Sequence, residues 1–243
     1  VVILCSMNES NKKYIYSGKE ELENSNKFLK NYNSEVVKIF FNHFRSKGNK
    51  ILDFGAGIGT LSILYEKMSG VKPVCVEIDS ENRKFLKSKG FLVFKSIFNS
   101  KSNFDAVFSS NVLEHIENDQ KTLNDIYKKL NKDGLLFLFL PAFEILYSDM
   151  DKKVGHFRRY SMQEIKKKLR KAKFQIVSSS YLDSLGFFAS FVMKIIGYDE
   201  KKGIGSPKSL KFYDKYIIPI SFFLDKIGLR FFLGKNLILL AKK

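Results

Sequence analysis

The order of apolar runs along the chain predicts an α/β fold: a doubly wound, mostly parallel sheet with helices on both faces. Three observations predict it. From residue 34 onward, short apolar runs alternate with stretches of helical period. A glycine-rich turn, ILDFGAGIGT at 51–60, joins the first such run to a helix. The run GLLFLFLP at 134–141 is apolar on both faces, as a central strand must be.

The elements follow in order. Val37, Phe40, Phe41 and Phe44 mark a first amphipathic helix. Strands are expected at 50–54, 73–78, 91–94, 104–109 and 134–140, with a helix opening near Thr60. Leu123, Ile126, Tyr127 and Leu130 give a helix that Asp133-Gly134 should end. Ser161 and Glu164 form a capping-box pair ahead of Ile165, Leu169 and Ala172. A strand at 174–182 comes next, and a final one at 236–243. Between them lie some fifty residues rich in Phe, Ile and Lys, with two helical stripes. Leu185, Phe188, Val192 and Ile196 make one; Ile220, Phe223, Leu224, Ile227 and Phe231 make the other. Neither can span a membrane, because Lys194 interrupts the first and Asp225, Lys226 and Arg230 the second.

With 243 residues, 44% of them hydrophobic and 28% charged, and no low-complexity tract or repeat, the chain can bury one full core, which excludes disorder except at the polar N-terminus. Cys5 and Cys75 have no redox or metal-ligand spacing, and Cys75 sits in a strand-like run, which fits a reducing cytoplasm. The opening VVILCS is too short for a signal peptide, and Met7 could be the natural start. A formal charge of +17 points to nucleic acid, a phosphorylated substrate or an acidic membrane surface. Solvated helix faces such as Lys166, Lys167 and Lys168 would give the same bias without a partner.

The chemistry concentrates at the glycine turn. Gly55, Gly57 and Gly59 suit a backbone that turns sharply and lies against a ligand. The turn lacks the Gly-Lys-Ser/Thr of a P-loop, and Gly59 follows Gly57 by two residues, where a dinucleotide fingerprint needs three. Asp53, two residues before the first glycine, disfavours a pyrophosphate and favours a cationic amine. Glu77, twenty-four residues after Asp53, is placed to accept both hydroxyls of a ribose, with Ile78 beside it as an apolar face for a ring. The alternative is that Asp53 and Glu77 are polar strand ends facing solvent.

The glycine loop, the VEID segment, FDAVFSSNVLEHI at 104–116 and LNKDGLLFLFLPA at 130–142 resemble four successive blocks of class I S-adenosylmethionine-dependent methyltransferases. The resemblance covers residues 34–183. It implies a Rossmann-like seven-stranded sheet whose last strand, 236–243, is antiparallel. It also implies S-adenosyl-L-methionine as cofactor, with Asp53, Gly55, Ala56, Gly57 and Gly59 at its methionine part, Glu77 at the ribose, Ile78 at the adenine and Asn111 beside the sulfonium. Many members carry an acid after the third strand for the adenine amine; FKSIFNSKSNFD at 94–105 lacks one in that place, leaving Ser96 or a carbonyl to substitute.

A narrower resemblance lies in DKKVGHFRRYS at 151–161. It is similar to the Gly-His-x-Arg-Arg-Tyr block of a bacterial methyltransferase subgroup linked to polysaccharide and lipid-linked sugar biosynthesis. The block implies His156 as a base and Arg158, Arg159 and Tyr160 as acceptor-binding groups; the alternative pairs the arginines with Asp149 and Asp151. His115 follows Glu114 as in ubiquinone-pathway O-methyltransferases, where nearby carboxylates help bind a metal. Here the upstream acid is replaced by Asn111, so no metal is expected, and His115 is a base, a substrate contact or a cap.

The expected organisation is an N-terminal extension at 1–33, a methyltransferase domain at 34–183 with 236–243, and a helical insertion at 184–235. The expected function is methyl transfer, most simply to oxygen, on a small-molecule, sugar or lipid-linked glycan acceptor. RNA or protein methylation and a non-catalytic scaffold are the alternatives. Against nucleic acid, no Asn-Pro-Pro-Tyr-like block follows the fourth strand. The insertion, with Phe187, Phe188, Phe191, Phe222, Phe223, Phe231 and Phe232 among Lys194, Lys201, Lys202, Lys208, Lys211 and Lys215, is expected to cover the acceptor site. Its Phe and Lys mixture also suits peripheral contact at the inner membrane face; simple packing on the sheet or on a second subunit is the alternative.

Overall fold

In the computed structural model, which describes residues 19–45, 48–197 and 206–243, seven strands form one sheet in the order β3-β2-β1-β4-β5-β7-β6. They are β1 Ile51–Phe54, β2 Val74–Val76, β3 Val93–Phe94, β4 Phe104–Ser110, β5 Leu130–Pro141, β6 Gln175–Leu182 and β7 Asn236–Lys242. β1 pairs in parallel with β2 and β4, and β4 with β5, while β7 runs antiparallel to both β5 and β6. The doubly wound sheet with an antiparallel last strand is therefore as expected. VVILCS, Cys5, Met7, Lys201 and Lys202 lie outside the described residues.

Strand β5 is central and buried on both sides because its side chains alternate between two cores. Leu136, Leu138 and Leu140 join Leu123 and Ile126 of α5 (Asp119–Lys129) and Ile165 and Leu169 of α7 (Met162–Lys171). Phe137 and Phe139 join Val37, Phe40 and Phe44 of α2 (Lys30–Phe44) and Tyr65 of α3 (Thr60–Ser69). Phe40 stacks on Phe108 at 4.4 Å between centroids, which anchors α2 to β4.

Two boundaries differ from expectation. α5 ends at Lys129, where Leu130 turns extended, and not at Asp133-Gly134. Phe104 pairs with Leu130 but Ala106 with Leu135, so Asp133-Gly134 lies in a bulge; Asp133 adopts φ +63° there, and a Cβ on Gly134 would meet Asn131 O at 2.9 Å. The extension is helical from Lys19: α1 (Lys19–Phe28) leads directly into α2.

Residues 184–235 hold α8 (Ser184–Ile196) and α9 (Pro207–Phe212), the latter running through one wide turn into α10 (Ile218–Lys226). The apolar stripes read from the sequence do not face inward. α10 buries Ile218, Ser221, Phe222 and Asp225, and leaves Phe223 and Ile227 over 60% exposed. A polar joint sets that rotation. Asp225 accepts the N–H groups of Asp183 and Ser184, Ser221 Oγ accepts from Leu185 N–H, and Asp183 accepts from Gly186 N–H and the hydroxyls of Ser221 and Tyr213. Buried carboxylates stay where their hydrogen bonds are, and that outweighs the preference of the stripe for the interior. Asp214 accepts the N–H groups of Asn31 and Tyr32 at the start of α2, fastening the insertion to the opposite end of the chain.

Candidate active site

β1 delivers the glycine turn to the carboxyl edge of the sheet. Gly55, Gly57 and Gly59 take φ of +85°, +56° and +78°, backbone that side chains with a Cβ rarely adopt. Gly55 and Ala56 both donate to Val76 O, tying the turn to β2. Gly59 serves packing: a Cβ there would meet Leu86 Cδ2 at 2.5 Å, on α4 (Ser80–Ser88).

Both acids face inward, so the solvent-facing alternative is excluded: Asp53 is 3% and Glu77 1% exposed. Ser62 Oγ donates to Asp53 Oδ2 at 2.7 Å. Burial still pushes the Asp53 carboxyl up to about 7, with the charge of Glu77 adding to it. Glu77 clamps the loop, accepting Gly57 N–H and Asp79 N–H, each at 2.7 Å.

Two cavities meet at Gly55. The larger, about 340 Å³, is lined on one side by Asp53, Gly55, Ala56, Gly57 and Asn111, and roofed by Leu22, Leu29 and Tyr32 from α1 and α2. Asn111 adopts φ +51° and donates its N–H to Phe139 O at 2.8 Å, turning the chain out of β4 at the cavity wall. The smaller, about 320 Å³, is an apolar slot between Phe54, Val76, Ile78, Ile97 and Phe98, with Lys95, Ser96 and Asp125 at its polar parts. An elongated ligand with an amino-acid end and a flat ring would therefore lie across Gly55. Buried Asp53 suits its amine and Ile78 with Phe54 its ring, so these residues fit S-adenosylmethionine. Glu77 and Gly59 line neither cavity.

The 155–160 block follows α6 (Asp149–Val154) and packs under the turn after β4, where Phe157 N–H donates to Glu114 O. His115, His156 and Arg159 reach the far end of the larger cavity. Asp151 accepts from His156 Nδ1 at 2.7 Å and from Arg159 Nε at 2.9 Å. Although burial opposes it, those two partners hold the Asp151 carboxyl well below the usual carboxylate range. Burial drives His115 down to about 2, so its ring is neutral.

Arg158 and Tyr160 are not brought to the cavity. Tyr160 pairs with Ala142 as a short parallel bridge, and in extended backbone successive side chains alternate in direction. Arg159 thus faces the cavity, while its two neighbours meet Asp119 on the other side. Tyr160 Oη donates to Asp119 at 2.8 Å, Arg158 Nη1 lies 2.9 Å from it, and Lys168 Nζ 2.8 Å. Lys168 is thereby a half-buried member of an ion cluster around buried Asp119 and not part of a fully solvated face. Of the pairings foreseen for the arginines, Arg159 with Asp151 occurs; Arg158 takes Asp119.

Sequence reasoning missed Lys235, Asn236, Asp151 and Tyr32 as cavity residues. One signal was present: an antiparallel last strand must begin at the edge where the parallel strands end, which puts Lys235 and Asn236 beside Pro141. Burial lowers the Lys235 ammonium from its usual range. Nothing in the sequence placed α1 over the cavity.

The profile of the family described as "Methyltransferase domain" matches residues 25–179. Among solved structures, a SAM-dependent methyltransferase from Archaeoglobus fulgidus is 21% identical, with 86% of this chain and 94% of that one covered at a TM-score of 0.56. A SAM-dependent methyltransferase from Thermotoga maritima is 16% identical over 93% and 98% of the two chains, at 0.60. Phosphoethanolamine N-methyltransferase 2 of Haemonchus contortus, in complex with S-adenosyl-L-methionine, is 16% identical over 81% of this chain and 49% of its own, at 0.51. At these identities the likeness to solved structures is one of fold. No curated protein sequence matches the chain.

Proposed function

The chain belongs to the family of methyltransferase domains that use S-adenosylmethionine, and from that premise we propose that it methylates an oxygen of an anionic sugar or lipid-linked glycan acceptor. The observation that carries this reading is that Lys235, Arg159, His115 and His156 line the same cavity as Asp53, Gly57 and Asn111. Because Asp151 offsets the charge of Arg159, Lys235 supplies the cationic anchor for a phosphate or carboxylate on the acceptor.

Bound in the two cavities, S-adenosylmethionine supplies an activated methyl group whose transfer needs no covalent enzyme intermediate. The chain's own part is to hold, orient and deprotonate. Asp53 and the 55–57 backbone hold the amino-acid end, and Glu77 keeps that loop in place. Tyr32 and Leu29 close the cavity over the site and exclude water. Lys235 and Arg159 orient the acceptor. His156, its Nδ1 bonded to Asp151, is set to accept the acceptor's proton on Nε2.

The glycan class rests on the resemblance of residues 151–161. A place at the inner membrane face is supported by the outer surface of residues 184–235. Phe188, Val192, Ile195 and Ile196 of α8 are exposed, as are Ile220, Phe223, Ile227, Phe231 and Phe232, with Lys194, Lys211, Lys226 and Arg230 among them. Such a surface meets anionic headgroups while its apolar part enters the acyl boundary. No helix among the described residues is long and apolar enough to cross a membrane.

The test is methyl-tritiated S-adenosylmethionine incubated with the full chain and, separately, lipid, glycan, RNA and protein fractions. Label in the lipid or glycan fraction is expected. Label confined to RNA or protein overturns the acceptor class.

A further inference from the structure

Glu114 sits in the turn Leu113–His115, fully buried, and neither of its carboxylate oxygens has a hydrogen-bond partner. A buried carboxyl so placed has lost its hydration without hydrogen bonds to its oxygens in exchange, and native chains keep such groups where an ion or a water completes them.

Two imidazoles stand beside it. His156 Nε2 lies 3.9 Å from Glu114 Oε1, while its Nδ1 lies 2.7 Å from Asp151 Oδ1. His115 packs edge-on against His156 with ring centroids 4.5 Å apart, and its Nδ1 lies 3.3 Å from Gly155 O. At His156 the acceptor at Nδ1 draws the proton there and leaves the lone pair on Nε2, toward Glu114. That is how metal-ligating histidines are held, with the carboxylate of Asp151 behind His156 in the outer-shell position.

One ligand atom each from Glu114, His115 and His156 falls within 4.8 Å of the others. Three donors around one tetrahedral ion at about 2.1 Å stand about 3.4 Å apart, so side-chain shifts of up to about 1.4 Å close the set. His115 and His156 also line the far end of the larger cavity, so open coordination positions would face the acceptor.

We propose that Glu114, His115 and His156 bind one divalent transition-metal ion at the acceptor end of the cavity. Two imidazoles and one carboxylate suit zinc or iron(II), and the nitrogen donors disfavour magnesium and calcium. With the ion in place, the Nε2 lone pair of His156 is committed to it, so the base role given to His156 above belongs to the metal-free protein. Loss of the acceptor's proton is then promoted by coordination of its oxygen and not by imidazole, a role that rests on the hydroxyl-acceptor reading above.

The test is a titration of the chelator-stripped full chain with Co²⁺, read by its visible ligand-field absorption and by calorimetry, without cofactor or acceptor. One equivalent per chain is expected, displaced by Zn²⁺. Asp151→Asn should weaken it about 10- to 100-fold, and Glu114→Gln and His156→Gln by more. Glu114→Gln keeps shape and removes charge, and its folding is checked by circular dichroism. Absence of saturable binding in the wild type, or binding unchanged in both Glu114→Gln and His156→Gln, overturns the proposal. Because the readout uses no acceptor, failure of the acceptor assignment leaves this result standing, and the reverse holds too.

Discussion

Asp53 makes cofactor binding depend on pH in a direction that follows from its burial. Its carboxyl, 3% exposed, is raised to about 7, so the unliganded protein carries it largely neutral below that value. A cationic amine is held by the ionised form. About half of the groups are ionised at pH 7 and about one in a hundred at pH 5, so affinity should fall about 50-fold, or about 2.3 kcal/mol, over that interval. Above pH 7 the curve should level. Binding near pH 6 should release about 0.9 proton per site, seen as a calorimetric enthalpy that varies with the ionisation heat of the buffer. The sign for stability is opposite: with a folded pKa above the unfolded one, this group's contribution is full below about pH 4 and is lost as pH rises to about 7. The assay is calorimetric titration with S-adenosylhomocysteine from pH 5 to 8 on the wild type and on Asp53→Asn, which keeps the acceptor for Ser62. The variant should bind more weakly at pH 8 and show a flat profile. A flat wild-type profile, or the same slope in the variant, refutes the assignment of Asp53 to the amine.

Glu77→Ala strands one buried and one part-buried N–H group, so unfolding stability and S-adenosylhomocysteine affinity should each fall by about 1.5 to 3 kcal/mol; lowered affinity at unchanged stability would assign Glu77 to the ribose alone. Tyr160→Phe removes a donor to buried Asp119 and should cost about 1 to 3 kcal/mol in urea denaturation while leaving cofactor affinity intact. Lost turnover with unchanged stability would return Tyr160 to the acceptor side. Replacing Phe231 and Phe232 by serine should abolish salt-sensitive co-sedimentation with anionic vesicles and spare the melting temperature, since both rings are exposed. Wild-type protein that stays in the supernatant would remove the membrane from the proposed function.

The elements and their winding were readable from the chain before any tertiary contact was known. Periodicity is local: the alternation in GLLFLFLP and the 3.6-residue stripe through Phe40 and Phe44 are written in consecutive residues, so β5 and α2 were legible. The glycine turn after β1 was legible for the same reason, because a backbone that turns sharply leaves its mark within a few positions; that Glu77 clamps this turn was not. What only the tertiary structure decided depends on partners far apart in the chain. Asp183, forty-two residues from Asp225, set which face of α10 is buried, and so turned an apparent core stripe outward. The bridge between Ala142 and Tyr160 decided that Arg159, and neither of its neighbours, enters the cavity. His156 met Glu114 and His115 because Phe157 is pinned to the turn after β4. Each of these is a long-range hydrogen bond, which fixes a direction in space that hydrophobic periodicity does not encode.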